Sequence, residues 1–540
     1  MKPSESAAWR RISPFAVVFF VGKTTRNLVR GYVQLVATFG ALAVLIRGTP
    51  YAALLIPLAL LVIIAVAVLR YWFFRFRIGE DRIVIRQGIL EKTSVDLPFD
   101  RIQGINVERR PVDRLLGLVT VSLDTAGSET TEGELPCVSR DLAEELRGRI
   151  GFGDSGRSDG RPDVAASAVP GVPGVDMDRE RRKGDRAPGR VLLRLSKGDM
   201  FRIGLGRDNI LLAMILIAAA WRRPRELPYR LAETFGFSED LVRPAIETAE
   251  ATLARTDALG EGTFTGGIVL TALSVVLAFG VGTAFLRYFG FTLWREGSAY
   301  RSRGGLLTQR EVVVETAKIQ QLTLSQDMLL RMLKRFRLRM HPAADADASQ
   351  HHDVPQVLEV PLLEAPLAQE IRESVFGEEG EGPILLPKSG KFRRVSPFYV
   401  QALGLRLGAL PALAGAVILM PVTGLTKVWA TFAGIWAAIW IVCGGLTALQ
   451  RWRRMGYAYG SDGMASRSGF VGRRVDAFLF RKVQSVAVKR SPLEQRQGLA
   501  TLVIELASDT VTVPYIDLGV ARRLRDHILC TVESSRRRWH

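Results

Sequence analysis

A threefold internal repeat constrains this chain more than any other feature, because any fold it adopts must be built three times. Each copy holds an Arg-x-Gly motif, followed fifteen residues after its arginine by a basic residue, an aliphatic residue and glutamine. The paired motifs are Arg86-Gln-Gly88 with Arg101-Ile102-Gln103, Arg303-Gly-Gly305 with Lys318-Ile319-Gln320, and Arg467-Ser-Gly469 with Lys482-Val483-Gln484. Gap-free spacing in three places predicts three copies of one structural unit.

The ends of the copies repeat as well. Pro136, Pro361 and Pro514 each precede an amphipathic helical pattern, with alanine seven residues further on. Before the first and third copies lie two similar basic arms, residues 9–15 (Trp-Arg-Arg-Ile-Ser-Pro-Phe) and 392–398 (Phe-Arg-Arg-Val-Ser-Pro-Phe). The repeating unit is therefore a basic arm, an apolar pair of segments and a polar block.

The apolar segments predict three membrane hairpins. Residues 51–69, 264–286 and 428–449 reach the roughly 20 apolar residues that a membrane-spanning helix needs. Each follows a weaker apolar stretch, at 31–46, 203–221 and 400–420. Basic flanks at both ends of a pair predict that both ends are cytoplasmic. We expect six crossings with cytoplasmic termini; a re-entrant or interfacial helix is the alternative for 203–221.

Composition favours the membrane over nucleic acid as the reason for the basic charge. The chain of 540 residues is 48% hydrophobic, yet its formal net charge is +19. The basic residues cluster beside apolar segments, which is typical of a multi-pass protein of the cell (inner or plasma) membrane. Three scattered cysteines, Cys137, Cys443 and Cys530, argue against disulfides and zinc. The N-terminus shows no signal-peptide pattern.

Inside each block the apolar pattern has a period of two, which predicts short strands in a small antiparallel sheet or partial barrel, closed by one helix. The fold class is therefore membrane α-helical hairpins plus β-rich domains. The predicted divisions are an arm (1–30), hairpin 1 (31–69), domain 1 (70–150), an unfolded linker (151–190), hairpin 2 with an external loop at 222–262 (191–286), domain 2 (287–376), an unfolded linker (377–391), the arm and hairpin 3 (392–449), and domain 3 (450–535).

These motifs resemble the bacterial pleckstrin-homology (PH)-like domains of YdbS/YdbT-type membrane proteins. The resemblance covers nearly the whole chain as three tandem units. It implies a PH fold of seven strands and a helix, no established enzymatic activity, and a smaller companion protein with one unit. The second copy departs most, with an insertion near 341–353 and Gln320-Gln-Leu-Thr in place of Gln103-Gly-Ile-Asn.

Two sets of residues are candidate binding sites. The first is the motif set Arg101, Gln103, Lys318, Gln320, Lys482 and Gln484. It could bind a lipid headgroup or a partner's backbone, or it could close a turn and satisfy sheet-edge groups. The second set is basic and could face anionic lipid, with a solvated face as the alternative. Its members are Arg109, Arg110, Arg114, Lys334, Arg335, Arg337, Lys489 and Arg490.

No residue pattern indicates catalysis, a cofactor or a metal. Gly22-Lys-Thr-Thr lacks the glycine that a phosphate loop needs five residues earlier, where Val17 stands. His341, His351, His352 and Asp353 lie in a polar insertion that favours an exposed loop over a metal site. We therefore predict a protein that is not an enzyme.

The predicted function is a membrane scaffold or adaptor whose three cytoplasmic domains bind anionic lipid or protein. The protein partner would be a smaller single-unit paralogue or another copy of this chain, and nucleic acid is not expected. The family resemblance adds envelope stress or antimicrobial-peptide resistance as a hypothesis. Transport or lipid handling by the six-helix bundle is the alternative.

Overall fold

The computed structural model describes most of the three polar blocks and part of the apolar segments. The described residues are 9–17, 19–21, 52–88, 93–125, 133–150, 190–206, 243–244, 248, 261–342, 357–377, 382–386, 391–423 and 427–534.

Unit 1 consists of a long apolar helix followed by six strands and two short helices. In chain order the elements are α1 (Ala52–Phe73), β1 (Arg75–Ile78), β2 (Arg82–Gln87), β3 (Thr93–Pro98), β4 (Ile102–Arg109), α2 (Pro111–Leu115), β5 (Leu118–Thr125), β6 (Gly133–Ser139) and α3 (Arg140–Arg149).

Unit 2 repeats this order and adds a strand before its apolar helix. Its elements are β7 (Arg190–Arg194), α4 (Lys197–Gly204), α5 (Glu261–Tyr288), β8 (Thr292–Glu296), β9 (Ala299–Gly304), β10 (Gln309–Glu315), β11 (Ile319–Gln326), α6 (Met328–Met332), β12 (Phe336–Pro342), β13 (Leu358–Leu363) and α7 (Ala365–Phe376).

Unit 3 has two apolar helical stretches before its strands. Its elements are α8 (Phe398–Gly404), a π-helix (Leu405–Ala409), α9 (Leu410–Thr423), α10 (Lys427–Arg454), β14 (Gly456–Tyr459), β15 (Gly463–Ser468), β16 (Arg473–Leu479), β17 (Val483–Lys489), α11 (Pro492–Arg496), β18 (Leu499–Leu506), β19 (Thr510–Asp517) and α12 (Leu518–Ser534).

The glycine of each Arg-x-Gly motif is required by the turn that follows the second strand of its unit. Gly88, Gly305 and Gly469 have φ of 109°, 115° and 141°, a region that side chains with a Cβ rarely enter. A Cβ at Gly305 would lie 2.1 Å from the carbonyl oxygen of Thr308. The motif therefore marks a tight turn in every copy.

The strands form sheets that run from one unit into the next. The seven-stranded sheet has the order β6-β5-β4-β10-β9-β8-β7, and the six-stranded sheet has the order β13-β12-β11-β16-β15-β14. Two three-stranded sheets, β1-β2-β3 and β17-β18-β19, stand at the two ends of the series. The sequence predicted one sheet in each block, whereas each block is split between two sheets. The split falls at a 3₁₀ turn between the third and fourth strands, for example Phe99–Arg101.

Three hydrophobic cores accompany the three units, and two of them include residues of the following unit. The first core takes in Ala299 and Val313 of unit 2. The second takes in Val475 and Leu479 of unit 3. Because apolar side chains of one unit complete the core of another, the units pack as one continuous series and not as independent domains.

The described apolar helices account for part of the predicted hairpins. Ala433–Arg454 is long and apolar enough to cross a membrane, while Ile63–Phe73 and Leu273–Tyr288 are shorter apolar helices. The predicted segment 31–46 and residues 207–221 of the predicted segment 203–221 lie outside the described residues. Six crossings therefore stay a prediction.

One expectation about the linkers is wrong. Residues 377–391 were predicted to be unfolded, but residues 382–386 pack beside α7, and Leu385 is buried in the second core. The prediction followed the glycines and charged residues of this segment. It overlooked a short Pro-Ile-Leu-Leu sequence, whose apolar side chains gain free energy by leaving water. Of the other predicted linker, 151–190, residues 151–189 lie outside the described residues, while Arg190 begins β7.

Candidate functional site

The units meet at two antiparallel strand pairings that use the same repeat positions. At junction 1, β4 pairs with β10 from Arg109↔Gln309 to Gly104↔Val314. At junction 2, β11 pairs with β16 from Gln326↔Arg473 to Gln321↔Phe478. Aligning the copies on their basic-aliphatic-Gln motifs superposes these two registers without a shift. A one-residue slip would turn every side chain to the other face, so the shared register is a specific feature of the repeat.

The basic residue of the second motif reaches across each junction. Lys318 and Lys482 each end a 3₁₀ turn that leads into β11 and β17 respectively. The Lys318 Nζ donates to the carbonyl oxygen of Ile102 at 2.6 Å, and the Lys482 Nζ donates to that of Ala317 at 2.8 Å. Both acceptors belong to the preceding unit, so the motif lysines tie consecutive units together.

Burial of Lys482, the motif lysine of the third copy, lowers the pKa of its side chain. The Lys482 side chain is only 2% exposed. Burial, followed by repulsion from Arg481, lowers the pKa of Lys482 to about 8. Because the carbonyl of Ala317 hydrogen-bonds the ammonium group, part of that desolvation cost is offset at the junction.

The remaining motif residues have different environments in the three copies. Arg101 is exposed and its side chain makes no hydrogen bond or ion pair with the described residues. Gln320 is fully buried and Gln484 is exposed, while the side chain of Gln103 lies outside the described set. A ligand-binding role for these six residues stays a prediction, and the contacts of the two lysines favour the structural alternative.

Junction 1 is held by ion pairs around an apolar strand. The buried carboxylate of Glu108 lies 2.8 Å from the Nε of Arg310. Glu311 of β10 pairs with Arg147 of α3 at 2.8 Å. Val313 and Val314 of β10 are both buried, on opposite faces of the strand, Val313 in the first core and Val314 in the second.

Junction 2 instead contains a buried polar network centred on Asp476. Its Oδ1 accepts hydrogen bonds from the Thr323 hydroxyl at 2.7 Å and from the Gln321 amide at 3.0 Å. Arg474 donates to the same carboxylate at 2.9 Å and to Asp509 at 3.0 Å. Charge-assisted hydrogen bonds of this kind are about twice as strong as neutral ones, so this network specifies the pairing.

A histidine lies beside that network. The Nε2 of His341 has no hydrogen-bond partner among the described residues. Burial lowers the pKa of His341 to about 4, and the positive charges of Arg474 and Arg339 act in the same direction, against the opposing effect of Asp509. His341 is therefore neutral near pH 7. The other three residues of the predicted insertion cluster lie outside the described residues.

The two ends of the series present strand edges without a partner among the described strands. β3 is the unit 1 counterpart of β10 and β16, and β17 is the unit 3 counterpart of β4 and β11. In β11 all but one residue is buried, whereas in β17 only Val483 is. Val486, Ala487 and Val488 are partly exposed and uncharged, which is unusual for a sheet edge.

The predicted lipid-facing basic residues divide into paired and exposed groups. Arg335 pairs with Glu364, and Arg337 pairs with Glu359. The Arg490 side chain donates to backbone carbonyls of its own unit, while Arg114 donates to the carbonyl of Leu306 across junction 1. Arg109 and Arg110 are half-buried, and Lys334 and Lys489 are exposed. The set does not form one surface, and its lipid contact stays a prediction.

The two basic arms pack against the Arg-x-Gly arginines of their units, a contact that the repeated sequence did not predict. Arg86 of the first Arg-x-Gly motif stacks on the ring of Trp9, with 4.4 Å from its guanidinium carbon to the ring centroid. Arg467 stacks on Phe392 in the same way, at 4.9 Å. Cation–π contacts of this geometry hold each arm against its unit. The spacing of the two motifs could not show this contact, because the arm and the strand are far apart in the sequence.

Reactive groups in the described part of the chain are few. Burial and the nearby carboxylate of Asp113 raise the pKa of Cys137 to about 12, so its thiol is not nucleophilic at neutral pH. Among the described residues there is no group of three potential metal ligands.

Tandem β-rich units with a closing helix, joined at regular strand junctions, define a repeat of PH-like domains. The family model for the bacterial PH domain matches three regions, residues 26–151, 251–378 and 406–530, and this chain therefore belongs to the bacterial PH domain family. The resemblance expected from the motifs is confirmed.

A relative among curated proteins is the UPF0699 transmembrane protein YdbT of Bacillus subtilis (strain 168). The two chains are 38% identical over 71 residues, which is 13% of this chain and 14% of the relative. No solved structure matches this chain.

Proposed function

We propose that this protein is a non-enzymatic scaffold of the bacterial membrane that assembles head to tail with further copies of itself. The observation that carries the proposal is the identical register of junctions 1 and 2. A strand pairing used twice within the chain leaves the complementary edges, β17 and β3, at its two ends. Membrane attachment is supported by the apolar helix Ala433–Arg454 and by the similarity to YdbT, which is named a transmembrane protein.

The internal repeat indicates that the strand that pairs with the β17 edge is β3 of a second copy of the chain. Copying the register of the internal junctions onto β17 and β3 sets Val488 opposite Ser94 and Val486 opposite Asp96. The same register brings the exposed Arg101 of one chain close to the backbone at the start of β17 in the next chain. Lys318 and Lys482 make the equivalent contacts within the chain, since each binds a backbone carbonyl of the preceding unit. Because the two paired edges differ, each added chain leaves one edge of each kind free. Such a head-to-tail pairing gives a ring if the series closes and an open row of chains if it does not.

Cysteine cross-linking in native membranes tests this assembly. With Cys443 and Cys530 changed to serine, we expect Ser94→Cys with Val488→Cys to give covalent dimers and higher species through a short thiol cross-linker. The matched control is Ser94→Cys with Ser485→Cys, which the register places three positions apart, roughly 10 Å along the strand. Equal cross-linking of both pairs, or of neither, would contradict the proposed register.

A charge at the edge provides a second test. Val486→Lys should dissolve the oligomers while leaving the monomer folded, because a lysine on an edge strand opposes strand addition. Leu529→Lys, on the exposed face of α12, is the control and should leave the assembly unchanged. If β17 captured a different PH-type protein and never a second copy, the homo-assembly would be wrong.

A second candidate function is contact with anionic lipid, favoured by two turns at the ends of apolar helices. The turn after β9 is tied to α5, since Gly305 N donates to the carbonyl of Phe289 at 2.9 Å. The turn after β15 is tied to α10, since Arg454 donates to the carbonyl of Gly472 at 3.1 Å. Each turn exposes two apolar residues at equivalent positions; these are Leu306, Leu307, Phe470 and Val471.

If α5 and α10 enter the membrane, these turns lie at the lipid surface. A polarity-sensitive dye on Leu307→Cys or Val471→Cys should then be quenched by a lipid-borne quencher, whereas the same dye on Asp526→Cys should not. Equal quenching at all three positions would contradict lipid contact by the turns.

A further inference from the structure

An open cavity of about 170 Å³ lies beside junction 1, between α3 of unit 1 and the strands of unit 2. Its wall includes five arginines and two glutamates, which gives the lining a net charge of +3 (five minus two). The arginines are Arg109, Arg140, Arg147, Arg301 and Arg303, and we call this site the arginine pocket. Both units contribute, so the site exists only because the junction forms.

The carboxylates do not neutralise all of these arginines. Arg140 pairs with Glu144 at 3.1 Å, and Arg147 pairs with Glu311 at 2.8 Å. Arg301 pairs with Glu296 at 2.8 Å. Arg303 donates to the neutral amide of Gln309 at 3.0 Å. Arg109 makes no hydrogen bond or ion pair with the described residues, and burial together with the charges of Arg140 and Arg303 lowers its pKa. Unneutralised guanidinium groups in a half-buried space attract an anion.

Arg147 also presents donors without acceptors. Its Nε and Nη2 are buried and have no hydrogen-bond partner among the described residues, although its Nη1 contacts Glu311. Two adjacent guanidinium donors form a planar fork that matches two oxygens of a phosphate or carboxylate. A buried donor left unpaired costs about 1–3 kcal/mol, so an occupant with acceptor oxygens would be favoured.

The equivalent place at junction 2 is filled. Arg372 occupies the position of Arg147 in unit 2, and residues 382–386 cover it. The Arg372 Nε donates to the carbonyl oxygen of Pro383, and its Nη2 donates to that of Gly382, each at 3.2 Å. Of the other pocket arginines, Arg109 and Arg301 are replaced there by Gln326 and Ala465. Junction 2 is therefore plugged at the place where junction 1 is open, and it keeps an arginine at only two of the five pocket positions, Arg372 and Arg467.

We infer that the arginine pocket is a binding site for a phosphate-bearing anion. A cavity of this size exceeds the roughly 30 Å³ that one water occupies in the liquid, and it admits a tetrahedral oxyanion with a few waters. Arginine recognises such oxygens through paired, charge-assisted hydrogen bonds. The phosphate belongs either to a free ion or to a lipid headgroup, since both offer the same oxygens to the pocket.

The test uses the full chain in nanodiscs of neutral lipid, titrated with inorganic phosphate and followed by calorimetry. The variant Arg109→Gln with Arg301→Ala carries the residues that junction 2 has at these positions, so it is compatible with the fold. We expect it to weaken phosphate binding roughly tenfold or more, because it removes two charged donors. Arg522→Gln, an exposed change on α12, is the control and should bind as the parent does.

A second series separates the two sources of phosphate. If a lipid headgroup is the occupant, nanodiscs containing phosphatidic acid should abolish the binding of added phosphate to the parent chain. If a free ion is the occupant, binding should be equal in neutral and phosphatidic acid nanodiscs. Either result supports the pocket, provided that the double variant loses the effect.

Three outcomes would overturn the inference. The first is that neither phosphate nor phosphatidic acid binds, and the second is that the double variant binds as the parent does. The third is that phosphate binds only after residues 151–189 are deleted. That result would show that this segment of the chain competes with phosphate for the pocket, in the way that residues 382–386 fill its counterpart.

Discussion

Junction 1 and junction 2 join their strands at equivalent repeat positions, yet different chemistry holds them. Junction 1 pairs Glu108 with Arg310 near the surface and leaves a basic cavity open. Junction 2 buries the Asp476 network and closes the equivalent cavity with residues 382–386. Backbone pairing thus sets the architecture of the series, while side chains give each junction its own stability and its own capacity to bind a ligand.

The largest effect is expected from Asp476→Ala at junction 2. Removing the carboxylate leaves Arg474, Thr323 and Gln321 without their shared acceptor, which costs about 3–5 kcal/mol for a buried ionic network. Amide hydrogen exchange in β11 and β16 should accelerate roughly 100-fold or more, while β4 and β10 stay protected. Unchanged protection at β16 would show that the network does not hold the junction. Asp526→Ala on exposed α12 is the control.

Acidification should also weaken junction 2 selectively, through His341. The folded chain holds its pKa near 4, below the ordinary value of 6.5, so the unfolded chain binds more protons between these values. Stability from this group is complete above pH 6.5 and is lost as the pH falls to 4, by about 3 kcal/mol. The unfolding midpoint of His341→Gln should therefore depend less on pH than the parent's in this window. Parallel pH profiles would contradict the assignment.

A smaller effect is expected from Glu108→Gln at junction 1. Arg310 is 38% exposed in its ion pair, so water can solvate it when the carboxylate charge is removed. The expected loss is about 1–2 kcal/mol, seen as faster amide exchange in β4 and β10 only. A loss as large as that of Asp476→Ala would mean that the two junctions do not differ as their side chains indicate.

The smallest effect concerns the helix end beside junction 2. Lys334 has φ of 54°, at the position that Gly117 and Gly498 occupy with φ of 68° and 65° in the other units. Lys334→Gly should stabilise unit 2 by about 0.5–1 kcal/mol, because glycine adopts this conformation without strain. The matched reverse change is Gly498→Ala, where an added Cβ meets no atom within 4 Å, and thermal unfolding should show a loss of similar size.

Much of each unit could be predicted from the sequence, because local rules decide it. The period-two pattern predicted the strands, and the repeat singled out the motif glycines, whose positive φ the structure then explained. The closing helices followed from their spacing after Pro136, Pro361 and Pro514. The motif lysines were also identified in advance as structural candidates, although their acceptors were not.

Only the tertiary structure decided how the units join. Lys318 binds a carbonyl 216 residues away, and the edge of an antiparallel strand does not specify in its sequence which other edge it will meet. The arginine pocket was missed for the same reason, since its five arginines come from two units and show no common spacing. The repeated sequence determined what each unit is, and the long-range pairing of strand edges determined the series and its sites.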